Sequence, residues 1–432
     1  MTVVIAIIVL VTILLLGVPI PFAFFASALT LVWIGGYDNT FLLPYGYGQV
    51  SSLILMAIPL FILAGELMDK SGIGESLINF VSLFIGRVRG GLGAVMVVSC
   101  GLFGAISGSG FATLSAIGSI MLPRMYEAGY PRGTSAALIS SAALLGLLIP
   151  PSLNQILYAF VGGQSVLACF LATVSPGIVL IILFSAVNFW LLRNNTDIKL
   201  TDRIPKGERL KVAAKRTGWA VPAMLAPVII LGGIYGGFMT PTEAAAVSVV
   251  YTIPVGIWFY RGLDRKTFLG ALIKAGTTAG VIMLMLLSVM MLSRLYVMEN
   301  LPQTILAAMT SVSSDPKILT LMLNLFLLLI GMLMDDTSAI LLTTPILLPV
   351  AMSVGIHPVH FSAIVGVNIG LGGVTPPTAP FLYLGSRVAN APVGEMLKPT
   401  MYLIFFAWIP TLIITTYFPN LSLWLPRLLG YA

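Results

Sequence analysis

The chain has 432 residues, of which 58% are hydrophobic and only 9% are charged. Soluble globular domains carry about a quarter charged residues, so this composition excludes an ordinary water-soluble protein. The mean hydropathy of +1.04 and the repeated long apolar runs indicate a polytopic membrane protein with roughly ten to twelve spans of about 20 residues each. The net charge of +7 does not imply a nucleic-acid partner, because basic residues in membrane proteins chiefly set orientation.

Residues 1–91 are predicted to form a scaffold of membrane spans and an arm. Spans are expected at about residues 3–16, 22–34 and 53–67. An amphipathic segment that could lie near the interface follows at about residues 71–84. A polar stretch at 35–49 is predicted as a loop. Because the chain begins in apolar sequence without a basic n-region, its start favours a first span over a cleaved signal peptide.

Residues 92–172 are predicted to form a first transport repeat, because their apolar sequence is interrupted at 107–110 (Ser-Gly-Ser-Gly) and at 150–152 (Pro-Pro-Ser). In a membrane, backbone groups freed by such a break need partners in protein, ions or a watery cavity, so each break is a candidate site. Two short helices that end at Pro123 and meet at the 107–110 tip would form a re-entrant hairpin. Around the double proline the sequence predicts two half-helices, at residues 133–149 and 153–171.

Residues 173–216 are predicted to contain one span and then a basic linker that divides the chain into halves. The linker, 193–216, is rich in Lys and Arg, and the positive-inside rule therefore places it in the cytoplasm. A second scaffold, 217–300, follows, with spans expected at about residues 219–235, 241–260 and 268–297. Thr240 and Glu243 at the start of one of these spans fit a capping box, a structural role.

The design of the first repeat returns in residues 301–390, which we predict to be a second transport repeat. At one constant offset, the matching positions are Pro123 with Pro349, Gly129 with Gly355, Gly146 with Gly372, Pro150-Pro151 with Pro376-Pro377 and Ser152 with Thr378. Interrupted apolar segments at corresponding positions of two halves point to the central binding site of a transporter. The sequence predicts a second hairpin at about residues 318–349 and a second broken helix at about 361–384. A last span is expected at about 400–417, within a C-terminal segment 391–432.

The distribution of basic residues bears on orientation. With the linker inside, nearly all of the 22 basic residues fall on the cytoplasmic side, provided that the first hairpin re-enters from inside and the second from outside. The charges therefore predict inverted repeats, opposed hairpins that meet near the midplane, and a periplasmic N-terminus.

The two tips are candidate ion sites. Broken helices expose carbonyl groups that suit Na⁺ and N–H groups that suit a carboxylate or sulfonate. By the symmetry of the repeats, the tip 107–110 is expected to face 146–150, and the tip 335–338 to face 372–375. The alternative is that these small residues only permit tight helix packing. Of Asp335 and Asp336, one is expected to cap the following helix and the other to contact a cation or the substrate.

Other chemistry finds little support in the sequence. It contains no catalytic constellation and no nucleotide-binding motif, so we predict that the protein is not an enzyme. His357 and His360 are interpreted as solvated loop or helix-start residues, and Cys100 and Cys169 as buried apolar residues. Four amides in apolar runs are candidates for substrate contacts or interhelical hydrogen bonds: Asn154, Gln155, Asn324 and Asn368.

At these residues the chain resembles a known family. The segments GAISGSGFAT, GYPRGTSAALISSA and IPPS in the first half, GMLMDDTSAI and GIHPVHFSAIVGVNIGLGGVTPPT in the second, and FMTPTEAAA between them are similar to the large membrane subunit of tripartite ATP-independent periplasmic (TRAP) transporters. The likeness covers essentially the whole chain. It implies an all-α polytopic fold like that of the ion transporter superfamily, with inverted repeats, two re-entrant hairpins and two broken helices that move as an elevator.

The resemblance also implies a function, partners and sites. The function is Na⁺-coupled import of small organic anions (carboxylates, sialic acids or sulfonates) across a bacterial inner membrane, with Na⁺ as the coupling ion. The implied partners are a four-span small membrane subunit, expected as a separate polypeptide because this chain begins directly with a span, and a soluble periplasmic substrate-binding protein. The implied Na⁺ ligands are Ser107, Ser109 and Gly110 with Gly146 and Pro150, and Asp335, Asp336 and Thr337 with Gly372 and Thr375. The substrate would lie between the tips, against Ser107, Ser109, Ser152, Asn154, Asp336, Ser338, Asn368 and Thr375.

Two alternatives stay open at this point. A stand-alone Na⁺- or H⁺-coupled anion carrier would have the same repeats and would need no binding protein. A channel would use the broken helices as a filter and would need no ion gradient.

Overall fold

The computed structural model describes residues 2–85, 88–199, 209–376 and 378–431. All regular structure within these ranges is helical, as the sequence predicts. The first half contains α1 (Thr2–Leu15), α2 (Ile20–Gly35), α3 (Leu42–Val50), α4 (Ala57–Ser71), α5 (Ile73–Ile85), α6 (Gly91–Ser107), α7 (Gly110–Glu127), α8 (Arg132–Ala142), α9 (Leu145–Leu148), α10 (Leu153–Val161) and α11 (Val166–Leu192). A short 3₁₀ turn, Leu53–Met56, leads into α4.

The second half contains α12 (Arg209–Tyr235), α13 (Pro241–Pro254), α14 (Arg265–Met298), α15 (Leu301–Val312), α16 (Pro316–Leu333), α17 (Asp336–Ser353), α18 (Pro358–Val374), α19 (Pro380–Ala389), α20 (Val393–Leu403), α21 (Ile409–Tyr417) and α22 (Asn420–Leu428). Single π-helical turns follow α13 and α20, at Val255–Phe259 and Ile404–Trp408. The middle of the basic linker (residues 200–208), Gly86, Arg87 and Pro377 of the second double proline lie outside the described residues.

Among the described residues, seven helices are long and apolar enough to cross a membrane, and nine spans result if each of two bent helix pairs counts as one. The sequence predicts ten to twelve spans. The difference arises because several apolar helices, among them α1, α2, α6 and α18, have only 14 to 17 residues. Breaks that shorten helices are therefore a general property of this fold.

Three boundaries differ from prediction. The polar stretch after α2 is not all loop but includes α3, because Gly46 lets this helix pack closely on Leu287 and Met291 of α14. Pro123 does not end the first hairpin; it lies inside α7, which continues to Glu127 with the side chains of Leu122 and Met125 buried. The predicted half-helix 153–171 ends early, at a Gly162-Gly163 turn with positive φ, and Ser165 then caps α11.

Helix α18 lies at the centre of the molecule. Every residue from Val359 to Val374 is buried, and its apolar side chains contribute to both large hydrophobic clusters. One cluster joins α18 to α1, α2, α4, α10, α14, α16 and α17, and the other joins it to α5 to α9, α11, α12 and α19 to α21. A helix that is apolar all round is stable only when it is enclosed in this way.

Each half contains one helical hairpin with a two-residue tip. In the first, α6 and α7 are joined by Gly108 and Ser109, and Gly108 adopts the left-handed conformation that glycine tolerates. In the second, α16 and α17 are joined by Met334 and Asp335. The arms have 17 or 18 residues, a length of about 26 Å, and α16 and α17 each meet the criteria for a membrane span.

The halves interlock at these hairpins. Helix α10 of the first half packs on α17 of the second, and α19 of the second half packs on α7 and α8 of the first. Around them, the 34-residue α14 packs on α2, α3 and α4. Buried Glu66 of α4 forms an ion pair with Lys274 of α14 at 2.8 Å. The predicted capping box is present at the start of α13, where Thr240 and Glu243 bond reciprocally.

Candidate functional site

The first hairpin tip brings together three uncharged oxygen atoms. The Thr113 hydroxyl donates to the Ser109 carbonyl at 2.8 Å, and it lies 3.2 Å from the Ser107 hydroxyl. The third side of this triangle, from the Ser107 hydroxyl to the Ser109 carbonyl, is 3.4 Å. Ser107 is buried, and the Ser109 side chain caps α7 by accepting from the N–H of Ala112. Hydroxyl and carbonyl oxygens are hard ligands, so this cluster fits a cation such as Na⁺.

Gly146, in α9, packs against the first hairpin tip. A Cβ atom added at this glycine would lie 2.9 Å from both the Ser109 carbonyl and the Thr113 hydroxyl. On its other side, Gly146 packs directly against the backbone of Gly104 in α6. A side chain at position 146 would therefore fill the space beside the oxygen triangle. The structure thus places predicted residue Gly146 beside Ser109.

The double proline shapes the start of α10. Pro150 and Pro151 are buried, and the Pro151 carbonyl lies close to Gly108 at the hairpin tip. The Leu153 N–H donates to the Gly108 carbonyl at 3.2 Å, which ties α10 to the tip. The Ser152 hydroxyl donates to the Leu147 carbonyl at 2.6 Å instead of capping α10. The first turn of α10 is therefore left without a side-chain cap, and its N–H groups suit an anion.

The two aspartates at the second tip differ in their contacts. Asp335 caps α17, because its carboxylate accepts from the N–H of Ser338 at 3.1 Å and also from the Ser338 hydroxyl. Asp336 is buried, and its carboxylate accepts from the side-chain amide of Asn154 at 2.9 Å. The structure thus identifies Asp335 as the capping residue of the pair. Thr337, the next residue, is half-buried.

The remaining predicted residues of the second half lie along the supporting helices. Gly372 packs against the backbone of Gly331 and Met332, in the last turn before the Asp335 tip. Thr375 follows α18, and its hydroxyl donates to the Leu371 carbonyl at 2.6 Å. The described contacts therefore join Gly372 to the arm that leads to the second tip. They provide fewer uncharged oxygens than the first tip does.

Both hairpin tips and the start of α10 border one cavity with a volume of about 550 Å³. The hairpin and broken-helix residues that line it are Gly108, Ser109, Phe111, Leu153, Asn154, Asp335, Asp336 and Thr337. The opposite wall belongs to the start of α2 and the middle of α14, with Pro19, Ile20, Pro21, Thr277, Thr278, Val281, Ile282 and Met285. The predicted tips therefore share one space, which lies between the hairpins on one side and α2 and α14 on the other.

Contacts between the two halves support both hairpin tips. Asp336 of the second hairpin is bonded to Asn154 of α10. At the position equivalent to Asp336 in the first hairpin, Gly110 packs against the ring of Phe381 in α19. The Phe381 ring also stacks on Phe111, with centroids 4.3 Å apart. Each hairpin tip is thus held by the second part of the broken helix of the other half.

Asn368 lies in a separate buried seam. Its amide donates to the Asn324 side chain at 2.6 Å, and Asn324 donates in turn to the Thr416 hydroxyl at 3.2 Å. These bonds join α16, α18 and α21. In the same region, His360 is buried and contacts the Thr415 carbonyl at 2.6 Å, so the interpretation of this histidine as solvated is wrong. His357 caps α18, as expected of a helix-start residue.

Sequence reasoning did not select several residues of the site. Thr113 contributes one of the three oxygens, and its position four residues after Ser109, on the same helix face, was the available signal. Thr277 and Thr278 line the opposite wall of the cavity, from a long helix whose sequence carries no break. Their contribution becomes evident only from the packing of α14 across the hairpin tips.

Comparison with known proteins gives consistent results. Residues 7–421 match the family described as the tripartite ATP-independent periplasmic transporter, DctM component. The chain is 36% identical to the C4-dicarboxylate TRAP transporter large permease protein DctM of Pseudomonas aeruginosa (88% of this chain and 87% of that protein) and 33% identical to the sialic acid TRAP transporter large permease protein SiaM of Vibrio cholerae (96% of each).

Two further similarities concern length and fold. The chain is 35% identical to the isethionate TRAP transporter permease protein DctMQ of Oleidesulfovibrio alaskensis over 95% of its own length, but it spans only 64% of that protein. Its fold is similar to the crystal structure of the Alcanivorax borkumensis YdaH transporter, with a TM-score of 0.62, 14% identity and coverage of 89% of each chain. At this identity the YdaH structure supports the fold alone.

Proposed function

This chain belongs to the DctM component family of tripartite ATP-independent periplasmic transporters, and from that premise we propose that it is the large permease subunit of a Na⁺-coupled importer of small organic anions. The observation that carries the proposal is the cavity of about 550 Å³ where both hairpin tips meet α10. A cavity of this size accommodates a small carboxylate or sulfonate. The permeases named for C4-dicarboxylates, sialic acid and isethionate define the substrate classes to be tested.

The charges in the cavity provide a reason for coupling. The uncapped start of α10 favours an anion, but the carboxylates of Asp335 and Asp336 border the same space and repel one. A bound cation removes that repulsion. We therefore propose that Na⁺ binds first, at the oxygen triangle of Ser107, Ser109 and Thr113 beside Gly146 and at the second tip, and that this binding creates the affinity for the anion.

We propose alternating access by an elevator movement of the two hairpins and broken helices past the scaffold helices. Support comes from the position of the cavity, which has the hairpin tips on one side and α2 and α14 on the other. Inverted repeats with hairpins that re-enter the membrane, a periplasmic N-terminus and an inner-membrane location belong to the same proposal. The seam of Asn324, Asn368 and Thr416 would keep the second hairpin, α18 and α21 together as the group moves.

The proposed partners are a small membrane subunit and a soluble periplasmic substrate-binding protein. Two relatives are described as large permease proteins, and this chain covers at least 87% of the length of each. Because these relatives have little sequence beyond the part that matches, they support a small subunit on a separate polypeptide. The longer DctMQ permease is the contrasting arrangement.

Uptake into proteoliposomes tests the proposal. The chain is reconstituted with its small subunit, and isethionate, C4-dicarboxylates and sialic acid are supplied with or without an inward Na⁺ gradient and with or without the cognate binding protein. We expect uptake of one substrate class that requires both. Uptake with Na⁺ but without any effect of the binding protein would favour a stand-alone carrier, and flux without a gradient would favour a channel.

A further inference from the structure

A second cavity, remote from the hairpin tips, lies between the arm helix α5, the start of α12 and the turn after α13. Its volume is about 390 Å³, and its polar lining includes Ser76, Asn79, Lys215 and Arg216. The three elements are fixed to one another, because the Ser76 hydroxyl and the Tyr260 hydroxyl both donate to the Trp219 carbonyl, at 2.8 and 2.6 Å. Hydrogen bonds between the three elements therefore hold the walls of the cavity in place.

Among the described residues, the ionic side chains that line this cavity give it a net positive charge. Glu75 also lines it, but its carboxylate is already paired with Arg124 at 2.9 Å. Arg124 donates at the same time to the side-chain oxygen of Asn79 at 2.9 Å, which leaves the Asn79 amide group as a free donor. Lys215 and Arg216 are in none of the ion pairs formed by the described residues. An anion in the cavity would thus find two basic groups and, as a further donor, the Asn79 amide.

The surroundings of the basic pair are those of a membrane interface. Lys215 and Arg216 are the last charged residues of α12, and residues 217–235, which follow them in the helix, carry no charge. Trp219, Phe259 and Tyr260 form an aromatic cluster at the cavity, with ring centroids 5.1 to 6.2 Å apart. Trp and Tyr concentrate at the headgroup level of a bilayer. The cavity is therefore expected at the depth where phosphate groups of lipids lie.

An apolar surface continues from this cavity toward the membrane. Trp219, which lines the cavity, and Phe259, whose ring centroid lies 5.3 Å from that of Trp219, are both exposed apolar side chains. A soluble phosphate would use the basic pair but not this surface. A phospholipid would use both, because its acyl chains can lie along the apolar face while its phosphate occupies the cavity.

We propose that this cavity binds the phosphate of an anionic phospholipid, with Lys215 and Arg216 as the charged ligands and Ser76 and Asn79 as neighbouring polar groups. Basic pockets between membrane helices are a known form of lipid recognition, and each basic residue adds to the attraction of anionic lipid. Bound lipid would join the arm helix α5 to α12 and so stabilise the scaffold. This proposal does not depend on the substrate or on the coupling ion.

Native mass spectrometry of the full chain, titrated with phosphatidylglycerol or phosphatidylcholine, tests the site. We expect preferential binding of the first phosphatidylglycerol. The double variant Lys215→Gln/Arg216→Gln is expected to bind it roughly thirtyfold more weakly, with an unchanged melting temperature in lipid-free detergent. The matched control is Arg265→Gln/Lys266→Gln, which removes two exposed basic groups from the start of α14 and should keep the wild-type affinity.

Three outcomes would overturn the proposal. Equal binding of the two lipids to the wild type would remove the anionic preference. Equal losses in the Lys215/Arg216 variant and in the control would indicate a general charge effect and no defined site. Complete displacement of the lipid by millimolar inorganic phosphate or glycerol phosphate would assign the cavity to a soluble anion.

Discussion

Substitution of Asp336 by Asn separates the charge of this residue from its packing. The carboxylate is buried and accepts a bond of 2.9 Å from Asn154. An asparagine has the same shape and still offers an oxygen to Asn154, but it cannot neutralise a cation. If Asp336 contributes its charge to Na⁺ binding, Asp336→Asn should fold normally and require more Na⁺ for transport.

The expected size of the effect follows from the energy of one charged contact. A hydrogen bond or ligand contact with a charged group contributes about 1.5–3 kcal/mol, so the half-saturating Na⁺ concentration should rise roughly tenfold to 150-fold. The assay is substrate uptake into proteoliposomes over a range of Na⁺ concentrations, with thermal unfolding measured on the same preparations. Asp336→Ala should in addition lower the melting temperature, because it leaves the Asn154 amide without its partner.

The neighbouring aspartate provides the matched control. Asp335→Asn is the same chemical change one residue away, and asparagine caps a helix about as well as aspartate does. We expect a much smaller change in Na⁺ dependence for Asp335→Asn. Wild-type Na⁺ dependence of Asp336→Asn, or equal shifts in the two variants, would refute the assignment of the functional charge to Asp336.

Further substitutions test other parts of the structure. Gly146→Ala places a methyl group 2.9 Å from the Ser109 carbonyl and should therefore weaken Na⁺ binding, which the same uptake assay would show as a higher half-saturating Na⁺ concentration. Gly270→Ala, on the open face of α14, should leave this concentration unchanged. Thr240→Ala removes the cap of α13 and should cost about 1 kcal/mol of unfolding free energy without a change in transport. Phe381→Ala removes a buried ring from the first hairpin tip and should cost about 3–5 kcal/mol, visible as a lower melting temperature; an unchanged melting temperature would contradict the proposed support of the tip.

Much of the fold could be predicted from the sequence because the membrane restricts the possibilities. A spanning segment must be a helix, and a polar or glycine-rich break inside it must mark a tip or a kink. The tip at 107–110 and the double proline at 150–151 were identified on this ground, and helices end on either side of each. The sequence Gly162-Gly163-Gln164-Ser165 carries such a break too, but the prediction of one half-helix over 153–171 does not use it. Helix α3 could not be predicted in this way, because its packing depends on α14.

The site was less predictable because it is assembled by contacts between the halves. Repeat symmetry relates Gly110 to Asp336, but it does not indicate that α10 of one half supports the tip of the other. The cap at Asp335 and the buried position of Asp336 likewise depend on which of two adjacent side chains turns toward Asn154. Asn368 was selected as a polar residue in an apolar helix, and such a residue serves equally well in an interhelical seam.

The most direct test of the account is the mutual dependence of Na⁺ and substrate binding at equilibrium. Binding of radiolabelled Na⁺ to the purified permease is measured with and without the transported anion, and binding of the anion with and without Na⁺. If Na⁺ completes the anion site, each ligand must raise the affinity of the other by the same factor, and Gly146→Ala must reduce that factor. Independent binding of the two ligands would contradict the account.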